Sequence, residues 1–236
     1  MRSLKQLLGF PSNPSYSSFR DPAMNIHCSE FEVDNWTISS FVVDTLVPVV
    51  GVHPFPLNEL SLMVATVCRF KPDHIVEWGT HLGKSARVFY ETARHFGLNV
   101  TVHSIDLPDP SAHQEHPGKR RGELVTGLSG VRLYQGDGLG VCREISARLS
   151  TTVPSVVFID GDHQYESVMC DLTGVMACMP NAHILLHDTF FQSAESGYNI
   201  GPYRAIVDAL AAAPRRYRVL SSQTGLPGMT LLYRLP

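Results

Sequence analysis

Short apolar runs alternate with longer amphipathic stretches along the chain from residue 56 onward. An apolar run bounded by turn residues is typical of a buried strand, whereas apolar positions three and four apart indicate a helix. From Tyr165, apolar residues recur at 165, 168, 169, 172, 175, 176 and 179, which is the spacing of one helix face. The pattern predicts seven strands, at 74–79, 100–106, 131–137, 155–161, 182–189, 216–222 and 228–235. It predicts helices at 59–70, with Asn58 as the cap, and at 84–96, 122–128, 140–149, 165–179 and 202–213.

The order of these elements predicts the architecture. Strands that alternate with helices form a mostly parallel sheet that is covered on both faces. The last two strands flank the turn-rich stretch QTGLPG and are expected to pair as an antiparallel hairpin. We therefore predict an α/β fold with a mostly parallel seven-stranded sheet and an antiparallel C-terminal strand pair. Residues 1–55 begin with a stretch rich in Ser, Pro and Asn, and are expected to form a partly irregular arm or lid before a domain at 56–236.

Composition narrows the class of protein. Of the 236 residues, 44% are hydrophobic and 17% charged, which suits one folded domain with an extension. The formal net charge of −3 argues against a nucleic-acid partner, because phosphate binding needs a basic surface. The one dense basic run, at 118–121, is interpreted as a solvated loop. No run approaches the ~18 apolar residues of a membrane span, and the N-terminus lacks the features of a signal peptide.

The five cysteines are an odd number and contain no CxxC pair. Reduced thiols packed in the core of a cytosolic protein are the simplest interpretation. We therefore expect a cytoplasmic location.

Candidate chemistry lies at the carboxyl ends of the predicted strands, where open α/β sheets bind their ligands. A buried carboxylate costs several kcal/mol unless it is paired or liganded, so five successive strands that end in acids or glycines favour a site there. Those residues are Glu77 and Gly79, then Asp106, then Gly136 and Asp137, then Asp160, Asp162 and His163, and finally His187 and Asp188.

The stretch EWGTHLGKS allows more than one interpretation. It does not match the GxGxxG of dinucleotide-binding loops, and it is one residue short of the GxxxxGK[ST] of phosphate-binding loops. A P-loop-type phosphotransferase therefore stays an alternative, since VVFID could be its metal-binding strand. The motif resembles more closely the first motif of class I S-adenosylmethionine-dependent methyltransferases, which have a Rossmann-like fold. The resemblance implies that the cofactor is held by Glu77, Gly79, Thr80, Gly83, Ser85, Asp106, Gly136, Asp137 and Asp160.

The second half of the chain carries a more specific pattern. The stretch IDGDHQYESVMCDL, followed by ILLHDT, resembles the group that includes macrolide-sugar O-methyltransferases and cephalosporin hydroxylase-like proteins. The resemblance implies that Asp160 and Asp188 hold a divalent metal, usually Mg²⁺, and that His163 takes the proton of the acceptor hydroxyl. Members that modify sugars have a carboxylate before the second metal acid, where this chain has His187, which we include among the metal-site residues.

These roles agree with general chemistry. Mg²⁺ takes oxygen ligands, lowers the pKa of a bound hydroxyl and orients it, while a histidine suits proton abstraction near neutral pH. We predict an O-methyltransferase that uses S-adenosylmethionine and Mg²⁺ on a small hydroxylated molecule, such as a natural-product sugar or glycolipid. The alternatives are a hydroxylase-like enzyme of the same fold, the P-loop phosphotransferase and a non-catalytic subunit. The N-terminal arm could also serve a homo-oligomer.

Overall fold

The protein is described here from a computed structural model over residues 21–23, 28, 30–108, 120–213 and 216–234. The strands are β1 (His74–Trp78), β2 (Thr101–Asp106), β3 (Val131–Gln135), β4 (Ser155–Ile159), β5 (His183–His187), β6 (Arg218–Ser222) and β7 (Met229–Tyr233). The helices are α1 (Asn35–Phe41), α2 (Val47–Val50), α3 (Leu57–Phe70), α4 (Lys84–Phe96), α5 (Gly138–Ser146), α6 (Tyr165–Cys178) and α7 (Gly201–Ala212). A π-helical turn (Val42–Leu46) joins α1 to α2, and a 3₁₀ turn (Ala194–Ser196) precedes α7.

All seven strands belong to one sheet in the order β3-β2-β1-β4-β5-β7-β6. The first five strands pair in parallel, whereas β7 runs antiparallel to both β5 and β6. The predicted mostly parallel seven-stranded sheet and its antiparallel C-terminal pair are thus confirmed. The chain reverses its direction of winding between β1 and β4, which opens a crevice at the carboxyl ends of these two strands.

Apolar side chains form one core on each face of the sheet. The first core contains Phe41, Met63 and Phe89 of the N-terminal helices against Phe158 of β4. The second packs α5, α6 and α7 against the opposite face, with Leu172 among its fully buried residues. Coverage of both faces holds the parallel strands together and leaves their carboxyl edge open. Within the described residues, no helix has both the length and the apolar character that crossing a membrane requires.

Three local features differ from the sequence-based expectations or were absent from them. The predicted helix at 122–128 is a series of turns, in which Gly122 and Gly127 take positive φ values that a helix does not allow. The expected cap Asn58 lies one residue inside α3, where its amide donates to Ser222 Oγ (2.6 Å). Helices α1 and α2 lie within the predicted arm, and Phe41 packs its ring against Phe96. The boundary predicted at residue 55 stays a prediction.

Candidate functional site

The turn after β1 approaches the end of β4 so closely that only glycine fits. Gly79 has φ of +96°, and a Cβ atom there would lie 1.9 Å from the carbonyl oxygen of Asp160. Gly83 also has a positive φ and is the N-cap residue directly before helix α4. The glycine turn and the acid at the end of β4 therefore form one continuous surface.

A buried carboxylate with a free oxygen lies beneath this turn. Glu77 Oε1 accepts a hydrogen bond from Ser104 Oγ (2.5 Å), while Glu77 Oε2 is buried without a hydrogen-bonding partner. Burial raises the pKa of Glu77 to about 7, although the hydroxyl of Ser104 opposes that shift. Thr80 extends the polar cluster, since its hydroxyl lies 2.7 Å from that of Ser104. An unsatisfied buried acceptor is costly, so this oxygen suits a cationic ligand such as the ammonium group of S-adenosylmethionine.

Asp106, at the end of β2, is held against the glycine turn. Its Oδ2 accepts from the backbone N–H of His81 (2.8 Å), and Arg121 Nε lies 3.3 Å from the same oxygen. Gly136 is adjacent, because its N–H donates to the Asp106 carbonyl (2.8 Å). Asp137 caps helix α5 through Gly140 N–H (2.6 Å), which gives its carboxylate a structural task.

Four titratable side chains meet at the ends of β4 and β5. His187 Nδ1 lies 3.0 Å from Asp160 Oδ1 and 3.3 Å from Asp188 Oδ2. His163 Nε2 lies 3.1 Å from Asp188 Oδ2 and 3.5 Å from Asp160 Oδ1. The four residues assigned to metal binding and proton transfer are therefore brought together, and we call them the acid–histidine centre.

Glu59 is a fifth member of this arrangement, and it was not predicted from the sequence. Its fully buried carboxylate lies 3.0 Å from His187 Nε2 and accepts from Gly228 N–H (2.8 Å). Glu59 lies in the first turn of α3, where an acid is usually interpreted as a response to the helix dipole. No signal near position 59 indicates its partner, which is 128 residues away in the chain.

The charges of neighbouring groups determine which side chains of the acid–histidine centre are protonated. Burial alone would lower the pKa of His187, but the carboxylates of Asp160, Asp188 and Glu59 raise it to about 12. Burial would also raise the pKa of Asp160, and the neighbouring His187 holds it below its usual range instead. The hydrogen bond to Asp160 raises the pKa of His163. Without a bound cation, an imidazolium group therefore compensates the carboxylates.

The backbone at Asp188 is strained. Its φ of +55° lies in the left-handed region, which residues other than glycine rarely occupy. Tyr198 fixes the side chain by donating a hydrogen bond from its hydroxyl to Asp188 Oδ1 (2.7 Å). Such strain persists where the surrounding structure holds it, and it is concentrated at functional sites.

The donor set fits a divalent cation. Asp160, His187 and Asp188 each offer one ligand atom, and these atoms all lie within 4.8 Å of one another. The second nitrogen of His187 faces Glu59, which is the usual outer partner of a metal-ligating histidine. Two carboxylates and one imidazole with a buried acid behind it can therefore hold a metal.

Other predicted features have structural tasks or fall outside the description. Asp162 Oδ1 accepts from Gln164 N–H (3.1 Å), as expected of a turn acid. Asp171 accepts from the indole N–H of the buried Trp78 (2.9 Å). Lys84 of the alternative P-loop donates to the carbonyl of His53 (2.5 Å). The first half of the basic run at 118–121 lies outside the described residues.

The family model described as "Methyltransferase domain" matches residues 76–189, which run from β1 through the acid–histidine centre. This segment is therefore similar to methyltransferase domains. The prediction of a methyltransferase is thus confirmed. The macrolide-sugar and cephalosporin hydroxylase-like group is a finer prediction that the family match does not address.

Solved structures of methyltransferases share the fold at low identity. An O-methyltransferase from Bacillus cereus, in complex with S-adenosylhomocysteine, is 16% identical with a TM-score of 0.55, over 84% of this chain and 91% of its own. A methyltransferase from Podospora anserina bound to the same product is also 16% identical, with a TM-score of 0.53 over 99% and 97% of the two chains. A Klebsiella pneumoniae protein described as an O-methyltransferase is 18% identical, with a TM-score of 0.54 over 84% and 90%. Among curated protein sequences, none matches the chain.

Proposed function

We propose that the methyltransferase domain transfers a methyl group from S-adenosylmethionine to a hydroxyl of a small molecule. The observation that carries the proposal is the contact between Gly79 and Asp160, which brings the glycine turn directly beside the acid–histidine centre. A methyl donor on one side of this contact and an acceptor hydroxyl on the other would lie within reach of each other. Alignment of the two reactants is the main task of such an enzyme, because the sulfonium methyl is already activated.

The cofactor would bind along the carboxyl edge from β1 to β3. Glu77 Oε2 offers an acceptor to the ammonium group, and the glycine turn lets the backbone approach the methionine part. Asp106 would bond the ribose hydroxyls, and Gly136 and Asp137 would lie near the adenine. The Bacillus cereus and Podospora anserina proteins bind S-adenosylhomocysteine, the product of methyl transfer, which supports this choice of cofactor.

The acceptor hydroxyl would react at the acid–histidine centre. A divalent cation held by Asp160 and Asp188, with His187, would lower the pKa of the hydroxyl. His163, whose Nε2 lies 3.1 Å from Asp188 Oδ2, would receive the hydroxyl proton on that nitrogen as the oxygen attacks the methyl carbon. The implied acceptor is a natural-product sugar, a glycolipid or a related hydroxylated molecule.

Calorimetry with S-adenosylmethionine tests the cofactor assignment. We expect saturable binding that Asp106→Ala weakens at least about tenfold, because a hydrogen bond to a charged group contributes ~1.5–3 kcal/mol. The exposed Asp44→Ala is the matched control and should bind normally. Absence of binding in the unaltered protein, together with tight ATP binding, would refute the proposal and favour the phosphotransferase.

A mass-shift screen tests the reaction. Incubation with S-adenosylmethionine and a panel of sugars, glycolipids and phenols should give a product heavier by one methylene unit. EDTA should remove that activity, and His163→Ala should lower kcat while cofactor affinity is retained. Cofactor binding without any methylated product across the panel would favour the non-catalytic subunit.

A further inference from the structure

We propose that the acid–histidine centre selects a first-row transition-metal ion such as Co²⁺ or Zn²⁺ over Mg²⁺ through the imidazole nitrogen of His187. The proposal rests on the metal centre of the proposed function and specifies its ion. It concerns the one position at which the chain departs from the carboxylate expected by resemblance.

The donor atoms that would face a bound ion include one imidazole nitrogen. His187 Nδ1 faces both acids, at 3.0 Å from Asp160 Oδ1 and 3.3 Å from Asp188 Oδ2. A cation shared by these two carboxylates would therefore meet a nitrogen where an all-oxygen site has a third oxygen. Mg²⁺ prefers oxygen ligands, whereas imidazole suits zinc, iron, nickel and copper.

The surroundings of the His187 ring fix its orientation. His187 Nε2 is 3.0 Å from Glu59, and Gly228 N–H holds the other oxygen of that carboxylate at 2.8 Å. The ring of Phe55 packs edge-on against the imidazole, with centroids 4.9 Å apart. The ring is thus fixed with Nε2 turned towards Glu59 and Nδ1 turned towards the metal acids. A carboxylate that accepts from the outer nitrogen also raises the basicity of the inner one.

The buried Glu59 is compatible with a histidine at position 187 but not with a carboxylate. A carboxylate at position 187 would leave the fully buried Glu59 beside another negative charge, and such an arrangement is costly. The histidine at 187 and the acid at 59 therefore form one unit. The pair is explained by nitrogen ligation of a metal, with the acid as its outer partner.

The test compares ion selectivity in two proteins whose centres carry the same charge when an ion is bound, since His187 is then a neutral ligand. The full-length protein is treated with EDTA, exchanged into metal-free buffer and titrated with CoCl₂ and MgCl₂ by calorimetry. The comparison protein is His187→Glu combined with Glu59→Gln, which supplies a third oxygen and removes the buried repulsion. Because many oxygen sites also bind Co²⁺ more tightly than Mg²⁺, the ratio of the two dissociation constants is compared between proteins. We expect the preference for Co²⁺ to fall at least about tenfold in the double variant.

Nuclear magnetic resonance of the Co²⁺ form gives a readout of the ligand itself. A coordinated imidazole gives hyperfine-shifted ring protons, including the Nε2 proton that faces Glu59. We expect these signals in the unaltered protein and in His95→Gln, which removes an exposed histidine on α4 as the control for adventitious binding. We expect their loss in the double variant. If that variant does not fold, Glu59→Gln alone should weaken Co²⁺ binding by about 10–100-fold, with a smaller effect on Mg²⁺.

Three outcomes would overturn the proposal. One is an unchanged selectivity ratio in a folded double variant. The second is the absence of hyperfine-shifted imidazole signals in the unaltered protein at saturating Co²⁺. The third is loss of these signals in His163→Gln but not in the double variant, which would assign the nitrogen ligand to the base instead. Calorimetry with S-adenosylmethionine on the same samples reports separately on cofactor binding, and a failure of that binding leaves the Co²⁺ results readable.

Discussion

Removal of the Glu59 carboxylate should destabilise the whole fold, although the residue lies in the first turn of a helix. Glu59→Ala would leave the His187 imidazolium without one of its carboxylates and Gly228 N–H without an acceptor. Breaking a buried ion pair costs about 3–5 kcal/mol. The lower end applies here, because Asp160 and Asp188 still face the other nitrogen. With a urea m-value of about 3 kcal/mol/M, a loss of ~3 kcal/mol lowers the unfolding midpoint by roughly 1 M.

Urea unfolding monitored by tryptophan fluorescence measures this effect. Trp78 is buried and reports on the sheet, whereas Trp36 is 75% exposed and is removed by Trp36→Phe in all samples. Glu144→Ala, an exposed acid within α5, is the matched control and should change the free energy of unfolding by less than about 0.5 kcal/mol. Glu59→Gln keeps an oxygen for Gly228 and should fall between the two. A midpoint for Glu59→Ala within about 0.2 M of the control would refute the account of a buried, charge-compensated centre.

Gly79→Ala should lower the thermal midpoint far more than Gly51→Ala. A Cβ atom at position 79 would lie 1.9 Å from the Asp160 carbonyl oxygen, whereas Gly51 also has a positive φ but has nothing within 4 Å of such an atom. Equal shifts in the two variants would argue against the close approach. Burial lowers the pKa of His103 to about 4, so the stability that its neutral form contributes is complete above pH 6.5 and is lost as the pH falls from 6.5 towards 4. His103→Gln should flatten that slope in unfolding curves collected across this range, and an unchanged slope would contradict the assignment. Burial raises the pKa of Asp171 to about 6, so the charged carboxylate opposes folding above pH 6. Asp171→Asn should therefore raise the thermal midpoint at pH 8. A lower midpoint in this variant would show that the charge is favourable.

Much of the fold could be predicted from the order of short-range patterns along the chain. Helix α4 begins at Lys84 and ends at Phe96 before Gly97, as the apolar period and the glycine indicate. The strands followed from apolar runs, and the parallel sheet followed from their alternation with helices. The segment at 122–128 shows the limit of such reasoning, because its apolar residues suggest a helix while its two glycines take positive φ values.

Some residues of the site could likewise be predicted from the sequence, and others could not. Asp160, His163 and Asp188 could be found from the sequence, because the residues that end neighbouring parallel strands must share one edge of the sheet. Glu59 could not, because a helix places it beside β5 across 128 residues of chain, and no local pattern encodes that contact. The same contact decides the character of His187. The sequence alone determined that a histidine stands where a carboxylate was expected, and only the tertiary structure placed a buried acid behind its ring. That acid fixes which nitrogen faces the site, since a buried carboxylate and a buried imidazole are stable together only when each compensates the other.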